Sequence, residues 1–253
     1  SKRLLARAVL QMPEVKRSLD DGWFVVSRGV TPAYILEELT GQAGDKGNST
    51  AGIVAEGRLA SVIMEDRLGP WVFENGKLSE TPAPQALGAF RARDVSIKGA
   101  NAVAPNGNIG VLAADGGGGT VGGIWGTLTA RGAHWVAPVS LERLVPDVIE
   151  AARECGNHLW DLTMGQSAGL MPVVNAQVVT EIEAIAILSG VKATHVASGG
   201  VSGSEGAVML SLTGEEADVR AAFEMLEGIK GEEQFESPRL IPYIREPETA
   251  PSA

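Results

Sequence analysis

Cysteine is almost absent: Cys155 is the only one in 253 residues, so no disulfide can form within the chain. Stability must then come from a buried core, which a chain of this length can build. The same scarcity predicts a reducing, cytoplasmic setting. No run of 18 apolar residues occurs, which predicts that no helix spans a membrane. The opening stretch SKRLLARAVLQMPEV is too charged for the apolar segment of a secretory signal. Basic residues are in deficit, 21 against 31 acidic ones for a net charge of −10, and no Lys/Arg run occurs. This argues against nucleic acid or an anionic membrane as partner, because both need a basic face. His134, His158 and His195 lie far apart and show no metal-ligand spacing, so no metal site is expected, and no cofactor is expected either. The nucleophile elbow G-x-S-x-G, the phosphate-loop lysine and the dinucleotide fingerprint are also missing.

What is present alternates between strand and helix signals. Leu4, Leu5, Ala8, Val9 and Met12 share one helical face, and Pro13 divides a helix over 2–20. Trp23 to Val26 is a short apolar run of the buried-strand kind. Thr31 suits an N-cap and Pro32 the first position of a helix over Ala33 to Leu39. A strand over Ala51 to Ala55 follows, then an irregular stretch over 56–89 with Trp71 to Phe73 as a strand and Glu74-Asn75-Gly76-Lys77 as a hairpin turn. Strands are predicted at Val95 to Ile97, Ile109 to Leu112 and Trp135 to Val139, with helices at Val121 to Leu128 and Leu141 to Cys155. Later, Thr180 caps a helix over Glu181 to Leu188 that Gly190 closes. Strands at Thr194 to Ala197 and Ala207 to Leu212 precede a helix between Gly214 and Gly228.

These elements predict an α/β fold: a Rossmann-like open-sheet, ligand-binding domain over 1–156, followed by a smaller α+β ferredoxin-like domain over 157–231. Residues 232–253 read as an extended tail whose end, EPETAPSA, is expected to be disordered. An incomplete ferredoxin-like sheet would leave an edge to be covered, so a homo-oligomer is expected.

The stretch from Asp94 to Val121, DVSIKGANAVAPNGNIGVLAADGGGGTV, carries the strongest pocket signal. A strand leads into Lys98-Gly99-Ala100-Asn101, and a second strand leads into Asp115 and four glycines, Gly116, Gly117, Gly118 and Gly119, ahead of Thr120. This run resembles ribose-5-phosphate isomerase A, whose pattern is roughly D-G-A-D-E and then K-G-G-G-G-A. Gly29-Val30-Thr31 sits where that family has its G-S-T loop. The resemblance covers the middle third of the chain and extends to a superfamily that includes CoA transferases. It implies a small anionic metabolite as ligand: a sugar phosphate, an acyl-CoA or a carboxylate. The family's two aspartates fall on Lys98 and Asn101, its lysine on Asp115 and its general-base glutamate on Ile124. An isoleucine cannot move a proton, so the implied activity is another reaction on a small anionic or carbonyl metabolite.

The candidate catalytic residues are therefore Lys98, as base or amine, Asp115 facing it, and Glu205, which lies among small residues in SGSEG. Gly29, Thr31, Asn101, Gly116, Gly117, Gly118, Gly119 and Thr120 are the candidate ligand-binding positions, since glycine amides approach anions closely. Each has a structural alternative: an ion pair for Lys98 and Asp115, a self-capped loop for Asn101, a tight turn for the glycines and a hairpin loop for Glu205. The chain as a whole has two as well, a non-catalytic ligand-binding or regulatory protein on the same scaffold, and an assembly protein.

Overall fold

The structure, a computed structural model, describes residues 1–243; the EPETAPSA end lies outside the described residues. Helices α1 (Lys2–Gln11) and α2 (Pro13–Asp20) meet at Pro13 and lead into strand β1 (Trp23–Val26). Helix α3 (Val30–Thr40) follows, then the hairpin β2 (Gly52–Ala55) and β3 (Arg58–Ser61), and the hairpin β4 (Trp71–Glu74) and β5 (Lys77–Ser79). Next come α4 (Ala83–Ala89), β6 (Val95–Ile97), β7 (Ala102–Val103), β8 (Ile109–Ala113), α5 (Gly119–Arg131) and β9 (His134–Pro138). The chain continues through α6 (Val148–Arg153), β10 (Gly169–Val173), β11 (Gln177–Val179), α7 (Glu181–Ser189), β12 (Lys192–Ser198), β13 (Val208–Thr213) and α8 (Glu216–Glu227).

The organising layer is a six-stranded mixed sheet in the order β11-β9-β6-β1-β4-β5. Strands β1, β6, β9 and β11 run parallel, and β4 and β5 are added antiparallel. The central strands are apolar on both faces because both faces are covered. Alternation along each strand divides them. Phe24, Val26, Val95, Ile97 and Val136 point into one core with α1, α3 and α7. Val25, Trp135 and Ala137 point into the other, with α4, α5 and the antiparallel sheet β7-β8-β10. Ser96 breaks the apolar pattern at the centre. It is fully buried between Val25 and Trp135, and its hydroxyl has no partner among the described residues. Its desolvation is uncompensated, so Ser96→Ala is expected to leave stability unchanged or raise it by up to about 1 kcal/mol. A urea titration checks this, and a loss above about 1 kcal/mol would reveal a hidden partner.

Several elements differ from the sequence expectations. Helix α3 begins at Val30 with Gly29 as N-cap, so Thr31 lies inside the first turn instead of capping it. The helix expected over Leu141 to Cys155 breaks into a 3-10 turn at Leu141–Arg143 and α6, with Pro146 between them. Proline removes a donor and crowds the preceding turn, which ends a helix there. The "irregular" 56–89 stretch contains β3 and α4. Thr180 and Glu183 form a complete capping box at α7.

The strands of 157–231 do not pair into one sheet. β10 joins β8, β11 joins the edge of the parallel sheet beside β9, and β12 and β13 pair only with each other among the described residues. Ile185, Val191, Ala193 and Ala222 from this segment share a core with Leu5 and Phe24. Strand partners are chosen by which apolar face is available at long range, and a local alternation pattern carries no record of that choice. The tail turns back along its described part: Leu240 bridges Val62, and the Ile241 amide donates to Ser61 at 2.8 Å.

Candidate functional site

Parallel strands carry their carboxyl ends on one side of a sheet, so the loops that follow them converge. The loops after β1, β6 and β9 face one cleft of about 840 Å³. The first supplies Arg28, Gly29 and Thr31, the second Lys98 and Asn101, and the third Ser140, Glu142 and Arg143. The loop ahead of α5 adds Asp115, Gly118, Gly119 and Thr120. The helices α3 and α5 both begin at this cleft, and neither N-cap residue caps its helix with a side chain. The Thr31 amide of α3 and the Thr120 amide of α5 have no acceptor among the described residues, whereas the Gly119 amide that opens α5 is taken by Asp115. The positive end of each helix dipole lies there.

Lys98 is the central group. Its backbone amide donates to Val136 at 3.2 Å, its carbonyl accepts from the Trp135 indole at 3.3 Å, and its ammonium donates to the Arg28 carbonyl at 2.9 Å. Burial, reinforced by the Arg28 and Arg143 guanidiniums, pushes its pKa down to about 8. Arg28 is itself held below its ordinary range, by burial first and then by Arg67. The Arg28 guanidinium donates to the Leu68 carbonyl at 3.0 Å, and that of Arg67 to the Val62 carbonyl at 2.9 Å. Among the described residues no carboxylate forms an ion pair with Arg28, Arg67 or Lys98. Arg143 differs: it pairs with Glu142 at 3.6 Å and donates to the Ala100 carbonyl.

Asp115 has a different task from the one expected of it. One carboxylate oxygen accepts from the amides of Gly117 at 2.9 Å and Gly119 at 3.1 Å, which holds the glycine loop closed. A short acidic side chain just upstream of free amides satisfies them locally, and no ion pair joins it to Lys98. Asn101 lines the cleft and is also partly committed: its side-chain oxygen accepts from the Leu112 amide at 3.0 Å, and its amide nitrogen has no partner among the described residues. Gly116 and Gly117 are exposed and do not line the cleft, whereas Gly118 and Gly119 do. Glu205 stands apart in the exposed β12–β13 loop, where it accepts from the Gly203 amide at 2.9 Å, and only its neighbour Gly206 reaches the cleft. Ile124 is buried in the second core.

Arg67 and Arg143 were not anticipated. Arg143 was legible: like Arg28 and Lys98, it follows the carboxyl end of a parallel strand. Arg67 arrives from the irregular stretch after β3 and had no local signal. His134 and His195 are held by Gln177 at 3.1 Å and Ser198 at 2.7 Å. No helix among the described residues is long and apolar enough to cross a membrane. No protein-family model, curated protein or solved structure matches the chain.

Proposed function

We propose that the cleft binds a small anionic metabolite and that Lys98, as an ammonium, is the electrostatic group that holds it. The observation that carries this is the gathering of Arg28, Arg67 and Lys98, without a carboxylate partner among the described residues, in one cleft of a chain with a net charge of −10. Lys98 and Arg28 are held below their ordinary ranges by burial first and then by neighbouring guanidiniums, and a bound anion offsets that cost. The free Thr31 and Thr120 amides at the starts of α3 and α5 add donors of the right sign. Loops at the carboxyl ends of a parallel sheet also support the Rossmann-like reading, and with it a scaffold resembling ribose-5-phosphate isomerase A and the CoA transferases. A second reading, a binding or regulatory protein without turnover, is favoured by Ile124. The position that would hold the family's proton-moving glutamate packs into the core.

Calorimetric titration with inorganic phosphate and with sugar phosphates tests the cleft. Lys98→Met is expected to weaken binding about 10- to 100-fold, since a hydrogen bond to a charged group is worth about 1.5–3 kcal/mol. The pH dependence has a defined sign. The anion prefers protonated Lys98, so affinity is full below about pH 8 and falls as pH rises through that value. It levels off only above the higher pKa that the anion itself imposes in the complex. Binding that is indifferent to both the substitution and pH would remove Lys98 from the site. Turnover of a bound ligand would favour the enzyme, and stabilisation without turnover the regulatory protein.

A further inference from the structure

The cleft has two chemically different sides. The floor, at the strand ends, presents Arg28, Lys98, Thr31 and Asn101. A second wall comes from the β2–β3 hairpin and the tail that pairs beside it, and presents Ile53, Leu59, Phe235 and Ile241. Polar side chains on this side are few and partly committed: Arg67 donates its Nε to the Val62 carbonyl and keeps its terminal nitrogens for the cleft. The Ser61 hydroxyl donates to Gln166 at 2.5 Å, and the Thr50 hydroxyl donates to the Gly47 carbonyl at 2.7 Å. Beyond Arg67 and the Gln166 amide nitrogen, the wall therefore offers a ligand mostly apolar surface. Ile241 is 45% exposed and Phe235 37% exposed, so the apolar surface continues out to the mouth.

We infer that the ligand is amphipathic: an anionic head held by Arg28 and Lys98, and an apolar body lying against Ile53, Leu59 and Ile241. This rests on the anion-binding reading of the floor and goes beyond it in naming the rest of the molecule. A densely hydroxylated body would surrender its water against this wall and recover few partners. An alkyl or aromatic body loses nothing and gains its transfer free energy.

Calorimetric titration with inorganic phosphate, then ethyl, butyl and hexyl phosphate, reads the two sides separately, and butanoate with octanoate repeats the test on a carboxylate head. Each methylene buried on the wall is expected to tighten binding about fourfold, the equivalent of about 0.8 kcal/mol. Hexyl phosphate should therefore bind at least tenfold more tightly than ethyl phosphate. Ile53→Asn, and independently Leu59→Asn, should reduce that hexyl-to-ethyl ratio, which is measured within each variant and so does not depend on its overall affinity. Phosphate binding with no dependence on chain length overturns the amphipathic ligand and leaves the anion-binding floor standing. Failure of phosphate and of every alkyl phosphate and alkanoate to bind overturns the floor, and the inference with it.

Discussion

Asp94→Ala is expected to destabilise the protein by about 3 kcal/mol, and to lower its melting temperature by about 10 °C for a chain of this length. Asp94 is fully buried, and its two carboxylate oxygens accept from the backbone amides of Trp23 and Arg91. Removing the side chain leaves two donors with no acceptor, and each unsatisfied buried group costs about 1–3 kcal/mol. The contact ties the start of β1 to the residue just before β6 and so sets the register in which Phe24 lies beside Val95 and Val26 beside Ile97. Arg28 and Lys98 follow the far ends of these same two strands. A slip at Asp94 therefore travels to the cleft floor, and ligand affinity should fall along with stability. Gly22 is tied to the same contact, since a Cβ there would overlap the Asp94 carboxylate. Asp94→Asn keeps one acceptor and should recover part of the loss. Paired urea titrations of the two variants check the order, and equal losses would mean that shape, not the acceptors, matters at this position.

What was legible in the sequence was local. The Trp23–Val26 run, the Asn75-Gly76 turn and the Thr180 cap each carry their cause within a few residues, and each stands where expected. Asn75 and Gly76 have φ of 50° and 74°, the left-handed values a two-residue hairpin needs. The pairing of β10 with β8 and of β11 with β9 was not legible, because neither partner can be chosen before the others have formed a sheet. The same split holds at the site. Lys98 could be found because strand-end position and residue type coincide there. The loop contacts of Asp115 were not legible, because a charge next to glycines suggests a ligand contact, and the two amides its Oδ1 serves lie within its own loop. Arg67 reaches the cleft only through the folding of a stretch with no periodic pattern.

Helix α5 allows a test in which one substitution has opposite signs at neighbouring positions. Gly122→Ala is expected to cost about 2–3 kcal/mol, the usual penalty for overpacking. A Cβ at Gly122 would overlap the Gly117 carbonyl oxygen, which belongs to the loop that Asp115 holds closed. Either the loop or the helix must then shift. The start of α5, with the Thr120 amide that faces no acceptor of its own, would leave its place at the cleft, so anion affinity should fall together with stability. Gly118 cannot adjust through an ordinary residue, because its φ of 80° is one that only glycine adopts without strain. Gly126 lies one turn further along the same helix, is exposed, and has nothing near the position a Cβ would take. Gly126→Ala should therefore stabilise by about 0.5–1 kcal/mol, through helix propensity and a less disordered unfolded chain, with anion affinity unchanged. Thermal melts and phosphate titrations on the two variants decide the matter together. A stable Gly122→Ala protein that binds phosphate normally would show that the glycine loop is spacing between β8 and α5 and takes no part in the cleft.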